Sequence, residues 1–290
     1  MGPTIALATC ARFPGLSPDD QPLLAALERR GCGAQPAVWD DPAVPWASFD
    51  AVVLRSTWDY HEHPSAFAGW LDALERSRAA VLNPVPILRW SMRKTYLREL
   101  EAAGIAVTPT LWVPAGSPAT LREVLDAVEA EAIVVKPTVS ASAFETWRVV
   151  RPGTDDDAVR FARLLAQRDV MVQPFLSTIE TDGELSFVFF EGEFSHAVRK
   201  RAKPGDFRVQ EEHGGTAVRE EPGPGLVAQA SRALAAAPGP TLYARVDGAV
   251  VDGALVVTEL ELVEPMLYFG WDAAAADRMA GALTARLAGR

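Results

Sequence analysis

Three carboxylates near the end of the chain are spaced so that they could hold a metal ion. Asp247 follows Arg245 by two residues, and Glu259 and Glu261 are also two residues apart. Residues two apart on a strand share a face, and a turn predicted at 252–253 would bring the two faces together. A divalent ion removes the repulsion within such a cluster, and Mg²⁺ takes carboxylates together with phosphate oxygens. The alternative is a solvated strand face with alternating acids.

Two lysines upstream of this cluster could contact phosphate groups. Lys94 stands before a helix predicted for 95–103, and Lys136 ends an apolar strand predicted for 132–135. A lysine ammonium is a compact charge that suits phosphate oxygens. For each lysine the alternative is a surface position in which the stem covers apolar neighbours.

The elements that must position these residues are predicted from hydrophobic periodicity. The first ninety residues alternate apolar strand-like runs, such as 51–54, with amphipathic helical runs, such as 64–78. That alternation predicts a parallel sheet with right-handed crossovers. From Leu185 onward strand follows strand. We therefore predict an α/β amino-terminal lobe followed by an α+β part.

Composition and charge restrict the class of protein. The chain has 290 residues, of which 49% are hydrophobic and 23% charged, which indicates a globular protein of two or three lobes. The formal net charge of -10 argues against nucleic acid as a partner. The run 199–203 carries four cations. It is interpreted as a solvated strand end, as a site for a small anionic ligand or, third, as a nucleic-acid contact.

Cysteine usage and hydropathy indicate the compartment. Cys10 and Cys32 have neither metal-ligand spacing nor the pattern of a disulfide framework, which favours a reducing compartment. The first residues lack the basic region of a signal peptide, and no apolar run approaches the ~20 residues that span a bilayer. We expect a cytoplasmic protein that acts on a small molecule, with no membrane partner and no nucleic-acid partner.

Taken in order, these motifs resemble those of the ATP-grasp ligases over about 93–267. The Lys-led helix, the strand ending in Lys136-Pro137, and the Arg-x-Asp and Glu-x-Glu strands each have a counterpart in that superfamily. The run 199–215, with Gly205-Asp206-Phe207-Arg208, is similar to the glutathione-synthetase and RimK-like branch. The resemblance implies an ATP-grasp fold, mixed α/β and α+β, with an amino-terminal parallel-sheet lobe.

The resemblance also implies cofactors and their ligands. ATP is expected, with two Mg²⁺ ions or Mn²⁺ in their place, bound by Asp247, Glu259 and Glu261. Glu261 stands where asparagine is commoner in the superfamily. The side chains expected at the nucleotide are Lys94, Lys136, Gln173, Glu184, Ser140 and Ser142.

Two of these nucleotide assignments have structural alternatives. The strand around Gln173 resembles the one that reads adenine, but a plain buried strand explains its apolar residues equally well. Glu184 is expected near the ribose, or else as a solvated acid in a hairpin. The loop 138–144, which should cover the phosphates, contains no glycine, so its backbone has reduced freedom in φ.

Catalytic and substrate-binding residues are also implied by the resemblance. Arg245 would stabilise the oxyanion, while Arg199 and Arg208 would bind carboxylate or phosphate groups. Their loop ends at Gly214 and Gly215, which are expected to contact the substrate. A mobile basic loop without a ligand is the alternative.

The amino-terminal lobe points to a narrower group. Its segment 55–60 and its runs 9–12 and 38–41 look like those of cycloserine-forming cyclo-ligases, which act on O-ureidoserine. Arg55, Thr57 and Asp59 are the candidates for substrate contact, because ligands bind at the carboxyl ends of parallel strands. Capping and surface packing are the alternative.

The predicted function is a carboxylate–nitrogen ligase that acts on a small, amino-acid-like substrate through an acyl phosphate. Ring closure within one substrate is an alternative, as are a catalytically silent nucleotide-binding protein and a kinase that stops at the phosphorylated product. The predicted domains are a substrate lobe (1–90), a small lid subdomain (91–168) and a subdomain with the metal site (169–290). A homodimer or homotetramer is the expected assembly.

Overall fold

Three β-sheets follow one another along the chain in the computed structural model, which describes residues 2–289. The first is parallel, in the order β2-β1-β3-β4, and consists of β1 (Thr4–Thr9), β2 (Gly33–Val38), β3 (Ala51–Ser56) and β4 (Ala80–Leu82). The second is antiparallel, in the order β5-β8-β6-β7, and consists of β5 (Leu111–Val113), β6 (Ala132–Pro137), β7 (Trp147–Val150) and β8 (Val170–Pro174). The third is antiparallel, in the order β11-β10-β9-β12-β13, and consists of β9 (Glu184–Phe190), β10 (Glu193–Arg201), β11 (Thr216–Glu220), β12 (Tyr243–Val251) and β13 (Ala254–Glu261).

Helices cover these sheets. They are α1 (Gln21–Arg29), α2 (Pro64–Arg76), α3 (Val85–Ser91), α4 (Tyr96–Ala102), α5 (Leu121–Ala127), α6 (Asp155–Leu165), α7 (Thr178–Thr181), α8 (Pro224–Ala235) and α9 (Ala275–Ala288). Capping boxes begin α5 and α6, where Thr120 and Thr154 each exchange hydrogen bonds with the acid three residues later. No helix within 2–289 is long and apolar enough to cross a bilayer. The mixed fold class predicted from the sequence is confirmed.

The amino-terminal lobe is fastened to the third sheet by buried polar contacts. The side chain of Asn83 accepts a hydrogen bond from the Leu242 N–H (2.6 Å) and donates to the carbonyl oxygens of Tyr243 (2.9 Å) and Leu262 (2.8 Å). Arg55 pairs with Asp20 at 2.8 Å. A buried polar network whose members are all hydrogen-bonded specifies one arrangement, so the lobe has a fixed position over the amino end of β12 and the carboxyl end of β13.

The hydrophobic cores divide the chain at other positions than the predicted domain boundaries. Ile87, Leu97 and Leu100, from α3 and α4, pack with α8 on the third sheet, whereas β8 pairs with β5 and β6 in the second. A cut at 168/169 would therefore separate β8 from its own sheet. We propose that the small subdomain runs from about 111 to about 174.

The loop after β6 turns without glycine. Ser142, Ala143 and Glu145 have φ values of 52°, 55° and 48°, in the left-handed region that costs a non-glycine residue about 1 kcal/mol or more. Glu145 pairs with Arg160 (3.2 Å) and Arg163 (3.4 Å) on α6. The loop thus reaches the geometry of a tight turn through side-chain anchoring instead of backbone freedom.

Candidate active site

A cavity of about 720 Å³ is lined by residues from all three sheets. The amino-terminal lobe contributes Trp58, the second sheet contributes Lys136 and Gln173, and the third contributes Asp247 and Glu259. A single cavity bounded by three subdomains is the expected form of an enzyme site that binds more than one small molecule.

Strand register brings the three predicted metal ligands together. Asp247 is paired with Glu259, and Arg245 with Glu261, across the hairpin that turns at residues 252–253. One carboxylate oxygen from each acid lies within 4.8 Å of the others. Burial raises the pKa of Glu261 to about 8, with repulsion from Glu259 adding to it and Arg245 opposing it. An all-oxygen donor set whose own charges repel is suited to Mg²⁺, so these residues fit the ion.

Arg245 and Lys200 hold the acids in place. Arg245 makes three hydrogen bonds to Asp247 (2.9, 2.9 and 3.2 Å), one ion pair to Glu261 (2.7 Å) and one hydrogen bond to the Met266 carbonyl (3.0 Å). Burial opposes ionisation of Asp247, but Arg245 and then Lys200, at 3.1 Å, outweigh it and lower its pKa. Asp247 is therefore ionised and oriented before any ion arrives, whereas Glu261 would give up its proton as the ion binds.

Lys94 and Lys136 converge on the same acid. Their Nζ atoms lie 3.3 Å and 3.4 Å from Glu259 Oε1, and Lys94 also donates to the carbonyl of Ser140 at 3.0 Å. Burial favours a neutral lysine, but Glu259 and Glu261 raise the pKa of Lys94 above its usual value. Burial dominates at Lys136 and lowers its pKa. Lys136 would therefore gain most from phosphate oxygens.

The expected nucleotide residues on the strands also line the cavity. Gln173 donates to the Thr110 hydroxyl at 2.9 Å. Glu184 accepts from Thr258 at 2.6 Å and pairs with Lys200 at 2.7 Å, so it is a bonded acid and not a solvated one. Phe175 lies against the Arg148 guanidinium, 4.2 Å from the ring centre. These residues form an apolar slot with polar edges.

Two loops close the rim of the cavity. Ser140 and Ser142 line it from the loop after β6, and their carbonyl oxygens accept from Lys94 and, at 3.2 Å, from the His213 ring. Arg208 lines it from the loop after β10, where Asp206 binds its guanidinium through two bonds (2.8 Å and 3.1 Å). Asp206 thus occupies the Nε and Nη2 side of the guanidinium, and a ligand would compete for that side or bind Nη1.

Arg199 does not lie on the cavity wall. It pairs with Glu220 at 2.8 Å and donates to the Asp182 carbonyl at 2.9 Å. Its neighbour Lys200 points into the cavity and is only 4% exposed. Successive strand side chains point to opposite faces, so the prediction of Arg199 as a catalytic residue chose the wrong face. Lys200 is one of the cavity residues to which the sequence motifs assigned no role.

The three proposed substrate contacts of the amino-terminal lobe are structural. Arg55 is 1% exposed and binds Asp20 and the Pro265 carbonyl (2.8 Å). Thr57 is buried away from the cavity, and Asp59 accepts from the Trp39 indole at 2.8 Å. Trp58 and Tyr60, from the same segment, line the cavity instead.

Gly214 and Gly215 also lie off the cavity wall. A side chain at Gly214, whose φ is +85°, would meet Lys203, and one at Gly215 would lie 2.2 Å from the Val209 carbonyl oxygen. They serve the packing of the loop that presents Arg208, and their prediction as substrate contacts is corrected accordingly.

Glu264 is a buried acid that the sequence analysis did not assign. Its side chain lines the cavity, and its carboxyl group accepts a hydrogen bond from its own backbone N–H but forms no ion pair within residues 2–289. Burial, opposed by Lys94 and Arg245, raises its pKa to about 8. In the sequence, Glu264 is marked only by its position three residues after the Glu-x-Glu motif.

Replacing Glu264 by glutamine is expected to stabilise the ligand-free protein above neutral pH. A carboxyl whose pKa rises from 4.5 to about 8 on folding binds its proton more tightly when folded, so its ionisation destabilises the fold. The loss in free energy of unfolding grows as the pH rises from 4.5 to about 8 and is constant at higher pH. The Tm advantage of E264Q should increase over this interval, by about 2–4 °C for each kcal/mol, in scanning calorimetry. An advantage independent of pH would contradict the assignment.

Comparison with known proteins identifies the class. Residues 5–83 match a family described as the D-cycloserine synthetase DcsG, N-terminal domain. The chain is 34% identical to the cycloserine biosynthesis protein DcsG of Streptomyces lavendulae, over 98% of both. A crystal structure of D-cycloserine synthetase DcsG has a TM-score of 0.87 at 33% identity and covers 98% of this chain and 99% of that one.

More distant structures share the fold. The D-alanine–D-alanine ligase of Bacillus anthracis, complexed with ATP, has a TM-score of 0.71 at 17% identity, covering 99% of this chain and 98% of that one. The fold and the relatives together identify the chain as an ATP-grasp ligase. Enzymes of this class use ATP and Mg²⁺ to form C–N bonds. Within that class it belongs to the family of DcsG.

Proposed function

We propose that this enzyme closes a ring within one small, amino-acid-derived substrate after activating its carboxylate with ATP. The observation that carries the proposal is the convergence of Asp247, Glu259 and Glu261 beside Lys94 and Lys136 in one cavity. Ring closure, as opposed to the joining of two molecules, is supported by the similarity of the chain, over almost its whole length, to a relative named for cycloserine biosynthesis.

In the first step, an oxygen of the substrate carboxylate attacks the γ-phosphorus of ATP, ADP leaves and an acyl phosphate forms. Phosphoryl transfer needs positioning and charge neutralisation, not a protein nucleophile. Lys94 and Lys136 would hold phosphate oxygens. Asp247, Glu259 and Glu261 would hold two Mg²⁺ ions, or Mn²⁺, whose charge neutralises the phosphates.

In the second step, a nitrogen of the same molecule attacks the acyl carbon, the nitrogen loses its proton and phosphate leaves. The developing oxyanion needs a fixed donor. Arg245 is buried and held on two acids and a carbonyl, which makes it the candidate for that role.

The nucleotide base would occupy the slot next to Gln173 and Phe175, with Glu184 toward the ribose. The loops that carry Ser142 and Arg208 would exclude water, because an acyl phosphate hydrolyses when water reaches it. His213, which bonds the Ser142 carbonyl at 3.2 Å, already joins the two loops.

A cytoplasmic location and assembly as a homodimer or homotetramer remain predictions. They rest on the cysteine usage and on the expectation for this class of ligase. Light scattering of the purified protein measures the assembly directly.

The function is tested by incubating the protein with Mg-ATP and each enantiomer of O-ureidoserine. We expect ADP release that depends on one enantiomer, with a ring-closed product identified by mass spectrometry. Nucleotide binding without turnover would instead support a silent protein, and a phosphorylated product that only hydrolyses would support a kinase. Turnover that requires two different amino acids, with a dipeptide as product, would overturn ring closure.

A further inference from the structure

Glu264 is held rigidly at the cavity wall. Its own carbonyl accepts a hydrogen bond from the Trp58 indole at 2.9 Å, and the carbonyl of Pro265 accepts one from Arg55 at 2.8 Å. Its side chain is only 8% exposed, yet it lines the cavity. The backbone on both sides of this carboxyl group is therefore fixed from the amino-terminal lobe.

The nearby cations are engaged by other acids. Lys94 pairs with Glu259, Arg245 pairs with Asp247 and Glu261, and neither forms an ion pair with Glu264. A carboxylate buried without a partner is costly, and buried acids in proteins are paired as a rule. Burial accordingly raises the pKa of Glu264 to about 8 in the ligand-free protein.

We propose that Glu264 binds the protonated amino group of the substrate and so selects amino acids over the matching 2-hydroxy acids. The inference rests on the proposed function, in which the carboxylate of the same substrate is activated beside Arg245. An amino-acid substrate, which carries both charges, then has its ammonium group next to Glu264 and its carboxylate next to a cation. A hydroxy acid would leave Glu264 without a cation and would lose a charge-assisted hydrogen bond.

Equilibrium binding tests the inference without requiring turnover. Isothermal titration would compare O-ureidoserine with its 2-hydroxy analogue, in the presence of Mg²⁺ and a nonhydrolysable ATP analogue. We expect the wild-type protein to prefer the amino compound by about 10- to 100-fold, the range for a hydrogen bond between charged groups. The E264Q variant should lose that preference, and Glu264→Asp should keep part of it.

The matched control is Glu62→Gln, the same change at an exposed acid of the segment that carries Trp58 and Tyr60. It should leave the preference intact. An E264Q protein that keeps the preference, or that loses kcat alone with unchanged KM, would overturn the inference, as would a wild-type protein that binds no amino compound. Amino-selective binding without a ring-closed product would overturn the proposed function only.

Discussion

Glu259→Gln is expected to lower kcat/KM for ATP-dependent ADP release by about a thousandfold or more, beyond the 10²–10³ found for one preorganised group. Glu259 is placed both to bind the metal and to pair with two lysines. It is one of three acids placed to bind the metal, and both Lys94 and Lys136 lie within 3.4 Å of its Oε1 atom. A glutamine would weaken the metal site and leave two neighbouring ammonium groups to repel each other. A coupled assay of ADP at saturating Mg²⁺ measures the loss.

Folding has to be separated from catalysis in this variant. Removing one partner of a buried ion pair leaves an uncompensated charge and costs about 3–5 kcal/mol of stability. The assay is therefore run well below the variant's own Tm, with Glu62→Gln as the control. Activity within tenfold of the wild type would show that Glu259 does not hold the metal.

Lys200→Met is expected to lower kcat/KM by about a hundredfold. Arg199→Met should change it less than threefold, since its half-buried ion pair lies off the cavity wall and an ion pair near the surface contributes only about 0–1 kcal/mol. Lys200 is buried between Glu184 and Asp247, at 2.7 Å and 3.1 Å. Without it, two acids in the cavity lose a shared cation, and Asp247, which we propose binds the metal, loses part of its orientation. Arg199 pairs with Glu220 on the other face of β10.

These adjacent variants form a matched pair, because each removes one cation from the same strand. Steady-state ADP release gives both effects, and calorimetry shows whether Lys200→Met also unfolds more easily. Equal losses in the two variants, or a larger loss for Arg199→Met, would mean that the face assigned to Lys200 is wrong.

The metal cluster could be predicted because its geometry is local. Residues two apart share a strand face, and Asp252 and Gly253, with φ of 49° and 79°, form the predicted turn. That short hairpin sets Asp247 opposite Glu259. The pairing of residues across this hairpin could therefore be predicted from the sequence.

The choice between neighbouring residues could not be made in the same way. The segment 55–60 was correctly placed beside the cavity, but Trp58 and Tyr60 line it instead of Arg55, Thr57 and Asp59. Which face of a strand or loop meets the cavity depends on what packs against the other face. That packing comes from distant parts of the chain, such as the contact between Arg55 and Pro265.

The subdomain boundaries and the conformation of the loop after β6 both depend on contacts with distant parts of the chain. The strand β8 pairs with β5 and β6 across long loops, and strand pairing over such separations leaves no local pattern. The glycine-free loop after β6 adopts positive φ at Ser142, Ala143 and Glu145 because α6 supplies arginines to Glu145. Reduced backbone freedom was therefore a poor guide to what the loop can do.

A crystal structure of the protein with Mg²⁺ and a nonhydrolysable ATP analogue tests the central claim most directly. We predict at least one ion bound by oxygens of Asp247, Glu259 and Glu261 and by the phosphates, at about 2.0–2.1 Å. Lys136 should then contact phosphate instead of Glu259. Ions bound elsewhere, with these three acids still paired to Arg245, Lys94 and Lys136, would contradict the account.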